Sequence, residues 1–127
     1  MTKVKICGLK RKEDIEFANI LLPEYAGFVF AASPRQVSAE QAAKLRAELD
    51  LRVRTVGVFV KEDINFIKRL AVERIIDMVQ LHGDESQEYC RELRRKINLP
   101  VIKVLRVRNT ESFENTIDYE CDYMLLD

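Results

Sequence analysis

The sequence is poor in residues that break or loosen secondary structure. It has 4 Gly and 3 Pro in 127 residues, and it contains no Trp. At a hydrophobic content of 47%, this scarcity excludes the disordered, collagen-like and low-complexity classes. The longest apolar run, residues 26–32, is far shorter than the roughly 18 residues of a membrane span. We therefore predict one soluble globular domain over residues 1–127, with no membrane partner.

The sequence also lacks a net charge, because 21 Lys+Arg balance 21 Asp+Glu. Proteins that bind nucleic acids carry a basic excess, so no nucleic-acid partner is expected. A basic cluster does occur at residues 91–96, but acidic residues flank it and no aromatic residue is interleaved. This pattern favours a solvated helix face over a nucleic-acid patch.

The soft ligands that structural zinc sites use are few, because the sequence has three cysteines and one histidine. Residues 8–11 interrupt the apolar stretch near the amino terminus, so no secretory signal is expected. We therefore expect a cytoplasmic protein in which Cys7, Cys90 and Cys121 are reduced thiols. Without a CxxC pair and with a single histidine, the sequence predicts neither a disulfide nor a metal site.

Six short apolar runs recur at steps of roughly 22 to 28 residues, and polar stretches with helical spacing separate them. One strand, one helix and two short loops fit this interval, which is the βα unit of parallel sheets. The predicted strands are 4–7, 27–30, 55–60, 78–82, 101–105 and 123–127.

The segments between these runs have the spacing of amphipathic helices. Ser38, followed three residues later by Gln41, forms a capping-box pattern at the start of one of them. Another segment places an apolar stripe along one helix, made of Ile15, Phe17, Ala18, Ile20, Leu21 and Leu22. The predicted helices are 11–22, 38–49, 62–72, 85–97 and, as the weakest candidate, 112–117.

The near-constant period favours a closed (β/α)₈ barrel over a doubly wound sheet. Eight repeats would need about 190 residues, close to the lower limit of that fold. The predicted fold class is therefore α/β, in the TIM (β/α)₈-barrel family. We expect about six strands and five helices of an incomplete barrel that stops after its sixth strand.

Three reactive side chains end three of the predicted strands, namely Cys7, His82 and Asp127. The carboxyl ends of the strands are where parallel βα proteins carry their sites. Strand alternation places Lys5 with Cys7, and Gln80 with His82, on the face opposite the helix-packing residues. Taken singly, a strand cysteine is more often a small buried hydrophobe, a lone histidine is more often structural, and a terminal aspartate is more often solvated. Arg35 would ordinarily be a surface loop residue. The residue types alone leave both the catalytic and the structural interpretations open.

Six motifs in order resemble those of the phosphoribosylanthranilate isomerase family of tryptophan biosynthesis. The resemblance runs from the first predicted strand to the last residue, and the family is a (β/α)₈ barrel. The motifs are KICGL at 5–9, GFVF at 27–30, SPR at 33–35, VGVFV at 56–60, VQLHGDE at 79–85 and LLD at 125–127.

This resemblance implies an Amadori rearrangement of N-(5-phosphoribosyl)anthranilate to 1-(2-carboxyphenylamino)-1-deoxyribulose 5-phosphate. By the match to the family, Cys7 is the general base and Asp127 is the general acid. Arg35 and His82 are expected to bind the substrate, with Arg35 against the anthranilate portion. The acid must remain protonated to donate, so Asp127 would need a raised pKa. No cofactor is implied, because the imine intermediate itself accepts the electrons.

The sequence departs from the family in one respect, because the glycine-rich phosphate loops after the last two strands have no counterpart in it. Two alternatives therefore remain beside the isomerase. One is a non-catalytic barrel fragment that self-associates, or pairs with another chain, through the open strand edges. The other is a thiol hydrolase built on Cys7, His82 and Asp127, for which the sequence supplies neither a helix amino terminus at the cysteine nor an oxyanion site.

Overall fold

The structure is a computed structural model that describes residues 2–106 and 121–126. Within these ranges strand and helix alternate from the first element to the fifth strand. The elements are β1 (Lys5–Cys7), α1 (Lys12–Leu21), β2 (Tyr25–Val29), α2 (Ala39–Glu48), β3 (Arg54–Phe59), α3 (Ile64–Val72), β4 (Met78–Leu81), α4 (Gln87–Lys96), β5 (Val101–Leu105) and β6 (Tyr123–Leu126).

The six strands form one parallel sheet in sequence order, β1-β2-β3-β4-β5-β6. This order confirms the six predicted strands and the βα winding. Four of the five predicted helices are present in the described ranges, and the predicted helix 112–117 lies outside them. In the described part of the chain, no helix combines the length and the apolar character needed to cross a membrane.

Polar side chains bind the open backbone groups at the helix starts. Ser38 and Gln41 form the predicted capping box of α2, in which the Ser38 hydroxyl accepts from the Gln41 N–H at 3.1 Å. Ser86 accepts from the Tyr89 N–H in the same way at the start of α4. Such caps satisfy amide groups that the first helical turn leaves without partners. They also fix where each loop after a strand ends, and those loops carry the candidate site.

The main core lies between one face of the sheet and the helices. Alternation sends every second strand residue to this face, including Ala26, Phe28, Phe59, Val79 and Leu81. The opposite face of the sheet carries Lys5, Cys7 and Gln80, as predicted. On α4, Cys90 and Leu93 are buried, whereas the basic residues of the 91–96 cluster are exposed, which confirms the solvated helix face.

The apolar stripe predicted on α1 is only partly buried. Ile15 and Ala18 lie in the core, but Phe17, Ile20 and Leu21 are 62%, 76% and 66% exposed. The reason is the position of α1 at one end of the sheet, where Asn19 binds the Glu48 carbonyl oxygen at 3.0 Å and faces α2. On the other side of α1, the Phe17 and Leu21 side chains project largely into solvent. We call Phe17 and Leu21, one helical turn apart on that side, the α1 flank.

Candidate active site at the strand carboxyl ends

Cys7 ends β1 as a half-buried thiol, and Gly8 then turns the chain. The N–H groups of Gly8 and Leu9 both donate to the Gly27 carbonyl oxygen, at 2.9 and 3.0 Å. Gly8 has φ of 86°, a conformation that favours glycine. A Cβ atom at Gly27 would lie 2.9 Å from the Cys7 Sγ atom, so glycine on the neighbouring strand provides the space that the thiol occupies.

Arg35 lies in the loop between β2 and α2, and this loop folds back onto β2. The Val37 N–H donates to the Val29 carbonyl oxygen at 2.9 Å, and the Gln36 side chain donates to the Phe30 carbonyl oxygen at 3.1 Å. These bonds direct Arg35 toward the end of β1, where its Nη1 donates to the Cys7 carbonyl oxygen at 3.2 Å. The Arg35 side chain also lies over Gly8, since a Cβ atom there would be 2.6 Å from the Arg35 Cδ. A side chain at residue 8 would therefore displace the guanidinium.

His82 follows β4, and its N–H donates to the Phe59 carbonyl oxygen at 2.8 Å. Its Nδ1 lies 3.3 Å from the Nε2 of Gln80, which is buried. The Oε1 of Gln80 accepts a hydrogen bond from the Lys5 ammonium of β1. Because β1 and β4 are separated by β2 and β3, this bond crosses the concave face of the curved sheet. A polar chain thus links the strand that carries Cys7 with the strand that carries His82.

Lys5 shares its face of the sheet with Cys7 and is partly buried. Burial lowers the pKa of the Lys5 ammonium, and the negative charge of the Cys7 thiolate acts in the opposite direction. Lys5 and Cys7 are two positions apart on β1, so their side chains project from the same face of the sheet.

On the helix-facing side of the same strand ends, a buried ion pair joins two loops to a strand. The Lys103 ammonium donates to the Glu85 Oε1 at 2.8 Å and to the Gly83 carbonyl oxygen at 2.7 Å. The other carboxylate oxygen, Glu85 Oε2, accepts from the Lys61 N–H at 2.8 Å, so the loops after β3 and β4 are tied to β5. Nearby, burial raises the pKa of the Cys90 thiol to about 11, which leaves it inert at neutral pH.

Among the four residues predicted for the site, the structure brings Arg35 against the backbone of Cys7 and links His82 to the Cys7 strand through Gln80 and Lys5. Asp127 lies outside the described residues. Cys7 is separated from α1 by residues 8–11, which is not the helix-terminal setting of many thiol nucleophiles.

Sequence reasoning missed the Gln80–Lys5 bond and the Glu85–Lys103 pair. The signal for the second was a lysine within the apolar strand 101–105, together with the glutamate that ends the VQLHGDE motif at 79–85. Within residues 2–106 and 121–126, no cluster of three or more His, Cys, Asp or Glu side chains is arranged to hold a metal ion. One surface groove is lined by Glu88, Arg91, Glu92 and Arg95, on the exposed side of α4 and away from the strand ends.

A parallel sheet wound in sequence order, with reactive side chains at its strand carboxyl ends, defines a protein of the (β/α)-barrel class. Residues 4–127 match the family model described as N-(5'-phosphoribosyl)anthranilate (PRA) isomerase. The chain belongs to the N-(5'-phosphoribosyl)anthranilate isomerase family.

Curated relatives with that name match the whole chain. The relative from Thermoanaerobacter sp. (strain X514) is 45% identical over 127 residues, which span 100% of this chain and 61% of the relative. The relative from Endomicrobium trichonymphae is 44% identical over 127 residues and is covered to 62%. The chain thus spans about three-fifths of the length of these relatives.

Solved structures agree with the sequence matches. Phosphoribosyl anthranilate isomerase from Thermotoga maritima superposes with a TM-score of 0.88 at 37% identity, over 100% of this chain and 62% of that one. A phosphoribosyl anthranilate isomerase in complex with reduced 1-(o-carboxyphenylamino)-1-deoxyribulose 5-phosphate gives a TM-score of 0.88 at 38% identity, over 100% of this chain and 65% of that one. These structures confirm the predicted fold class.

Proposed function

We propose that this chain supplies most of the active site of a phosphoribosylanthranilate isomerase, acting in tryptophan biosynthesis in the cytoplasm. The reaction would be the Amadori rearrangement of N-(5-phosphoribosyl)anthranilate to 1-(2-carboxyphenylamino)-1-deoxyribulose 5-phosphate. The observation that carries the proposal is the meeting of Arg35 with the end of β1, where its guanidinium donates to the Cys7 carbonyl oxygen at 3.2 Å. A guanidinium is thereby held against the backbone of the residue that carries the only thiol at the carboxyl end of a described strand, in a chain 45% identical to a named isomerase.

The first chemical step needs an acid. Protonation of the ribose ring oxygen would open the sugar and leave an imine at C1. Asp127, which directly follows β6 in sequence, is our candidate for this acid. The carboxyl group would have to be protonated before it donates, and poor hydration at the barrel mouth would favour that form.

The second step needs a base. Removal of the proton from C2 would convert the imine to an enolamine, which then tautomerises to the ketone. Cys7 is our candidate base, because its side chain lies on the concave face of the sheet in the space beside Gly27. Lys5 lies on the same face of the sheet, where its ammonium donates to the Gln80 Oε1. The imine accepts the electron pair, so the mechanism needs no cofactor.

Binding of the anthranilate portion is assigned to Arg35 and His82. A guanidinium presents a planar pair of N–H donors that matches a carboxylate. Arg35 is exposed toward solvent, and its loop is fixed to β2 by the Val37 and Gln36 bonds. The substrate would therefore enter across the β2–α2 loop.

We further propose that the chain self-associates, or pairs with another chain, through its sheet edges. In the described sheet, β1 and β6 each have one strand neighbour, and all four residues of β6 are exposed. An exposed strand with open N–H and C=O groups is a template for pairing. The α1 flank adds apolar surface beside β1.

Growth on medium without tryptophan tests the proposed function. A bacterial strain without phosphoribosylanthranilate isomerase would receive this chain, fused to the part of the Thermoanaerobacter relative that lies beyond the match. We expect growth that Cys7→Ala and Asp127→Asn each abolish, while the matched control Cys121→Ala grows. Growth of either site variant would refute its assigned role. Failure of a folded fusion to support growth would favour the non-catalytic fragment.

A further inference from the structure

Two hydrogen bonds connect Lys5 to Gln80 and Gln80 to His82. The donors and acceptors available on these side chains decide which group donates in each bond. A lysine ammonium has three donors and no acceptor, so the Gln80 atom that it meets must be the amide oxygen, Oε1. The other end of the amide, Nε2, then faces His82 Nδ1 at 3.3 Å. An amide nitrogen only donates, so Nδ1 must accept.

An imidazole nitrogen that accepts a hydrogen bond carries no proton, and the proton of a neutral ring is then on the other nitrogen. We infer that Lys5 and Gln80 are positioning residues that hold His82 as the neutral tautomer with its proton on Nε2. His82 therefore acts as an N–H donor, and it does not act as a base through Nδ1.

The backbone bond of His82 and the burial of Gln80 fix the two residues relative to each other. The His82 N–H donates to the Phe59 carbonyl oxygen at 2.8 Å, which fixes the start of the loop after β4. Gln80 is 3% exposed, so water does not compete for its amide. A buried amide with both ends bonded has one satisfied orientation, because turning it would set the ammonium against the NH₂ group.

The consequence for ligand choice rests on the proposed function. Two donor groups, the Arg35 guanidinium and the His82 Nε2–H, would be available to a ligand at the strand carboxyl ends. Both suit an acceptor oxygen such as that of a carboxylate. Lys5 and Gln80 would then contribute to binding through His82 without touching the substrate. In the fused isomerase, Gln80→Leu is expected to raise KM about tenfold and to change kcat by less than twofold.

The tautomer can be measured without substrate, so this inference can fail or hold independently of the proposed function. The chain contains one histidine, and its two ring nitrogens give the only imidazole signals in a ¹⁵N-labelled sample. At an alkaline pH where imidazole is neutral, we expect a pyrrole-type shift at Nε2 and a pyridine-type shift at Nδ1. A pyrrole-type shift at Nδ1 in the unsubstituted chain would overturn the inference, since the Gln80 amide would then be turned around.

Two substitutions of similar size separate positioning from mere packing. Gln80→Glu replaces the amide donor with a carboxylate that only accepts, so the inference predicts that Nδ1 gains a proton and its signal becomes pyrrole-type. Gln80→Leu removes the bond without replacing it, so a mixture of the two tautomers is expected. The backbone amide spectrum reports folding in each case. Unchanged ring shifts in either folded variant would contradict the inference.

Discussion

Lys103 and Glu85 are the most deeply buried charged residues of the described chain, with 2% exposure each. The carboxylate binds the ammonium at 2.8 Å and also accepts from the N–H groups of Lys61 and Gly83, at 2.8 and 3.1 Å. Both carboxylate oxygens of Glu85 thus accept a hydrogen bond from a backbone N–H of the loop after β3 or the loop after β4. These two residues hold the backbone just after His82 in place.

Removing one member of the Lys103–Glu85 pair should destabilise the folded chain. We expect Lys103→Met to lower the free energy of unfolding by about 3–5 kcal/mol, because it leaves a buried carboxylate without its counter-ion. Urea unfolding of the chain measures this loss.

The adjacent residue offers a matched control. Asp84 pairs with the Lys61 ammonium at 2.8 Å, but both side chains are exposed. Asp84→Asn should change the free energy of unfolding by less than about 1 kcal/mol, as is usual for exposed pairs. If Lys103→Met proved as stable as Asp84→Asn, the buried pair would not have the structural role described above.

Residues could be placed from the sequence where a pattern within one strand or one βα unit locates them, and could not be placed where a contact between distant segments does. Cys7 and His82 could be placed at strand ends because alternation and the βα period are local signals. Arg35 could be assigned only through the family motif, since its contact with the end of β1 depends on how the β2–α2 loop folds. The Lys5–Gln80 bond could not be predicted, because it joins strands that are not neighbours and depends on the curvature of the sheet.

Among the elements, the residues at which helices begin were well predicted from the sequence. Which side of a helix is buried was predicted less well. The Ser38–Gln41 capping box is present as the sequence pattern indicated. The α1 stripe was predicted from spacing alone, which does not say which flank of a helix has a neighbour. Its exposure follows from the position of β1 at one end of the sheet order.

Loss of the α2 cap should be measurable in stability. We expect Ser38→Ala to lower the free energy of unfolding by about 1 kcal/mol, because the Gln41 N–H loses its acceptor. Ser38→Asp, which keeps an acceptor oxygen at the N-cap, is the control and should retain most of the stability. Equal losses in both variants, read from urea or thermal unfolding, would show that the cap is not the cause.

At the scale of the whole molecule, the exposed apolar surface is concentrated at the two ends of the sheet. The α1 flank lies beside β1, and β6 exposes Tyr123, Met124, Leu125 and Leu126. Large exposed apolar patches commonly mark sites of association. The sheet order places these surfaces at opposite ends, so each could receive a strand and a helix.

This arrangement predicts that the 127-residue chain associates in solution. Sedimentation velocity should show dimers or larger species at micromolar concentration, and Phe17→Ser with Leu21→Ser should weaken the association at least tenfold. Leu51→Ser is the control, because Leu51 is 89% exposed but lies in the turn before β3. A chain that stays monomeric over the whole concentration range would contradict the prediction.

In the function proposed for this chain, Cys7 is the general base of a phosphoribosylanthranilate isomerase. The most direct test follows the loss of phosphoribosylanthranilate fluorescence with the purified fusion of this chain to the remaining part of the Thermoanaerobacter relative. We predict turnover that falls roughly 10²- to 10⁴-fold in Cys7→Ala, the range typical of a lost general base, and that is unchanged in Cys121→Ala. Equal turnover in the fusion and in Cys7→Ala would contradict the claim, as would a folded fusion that consumes no substrate.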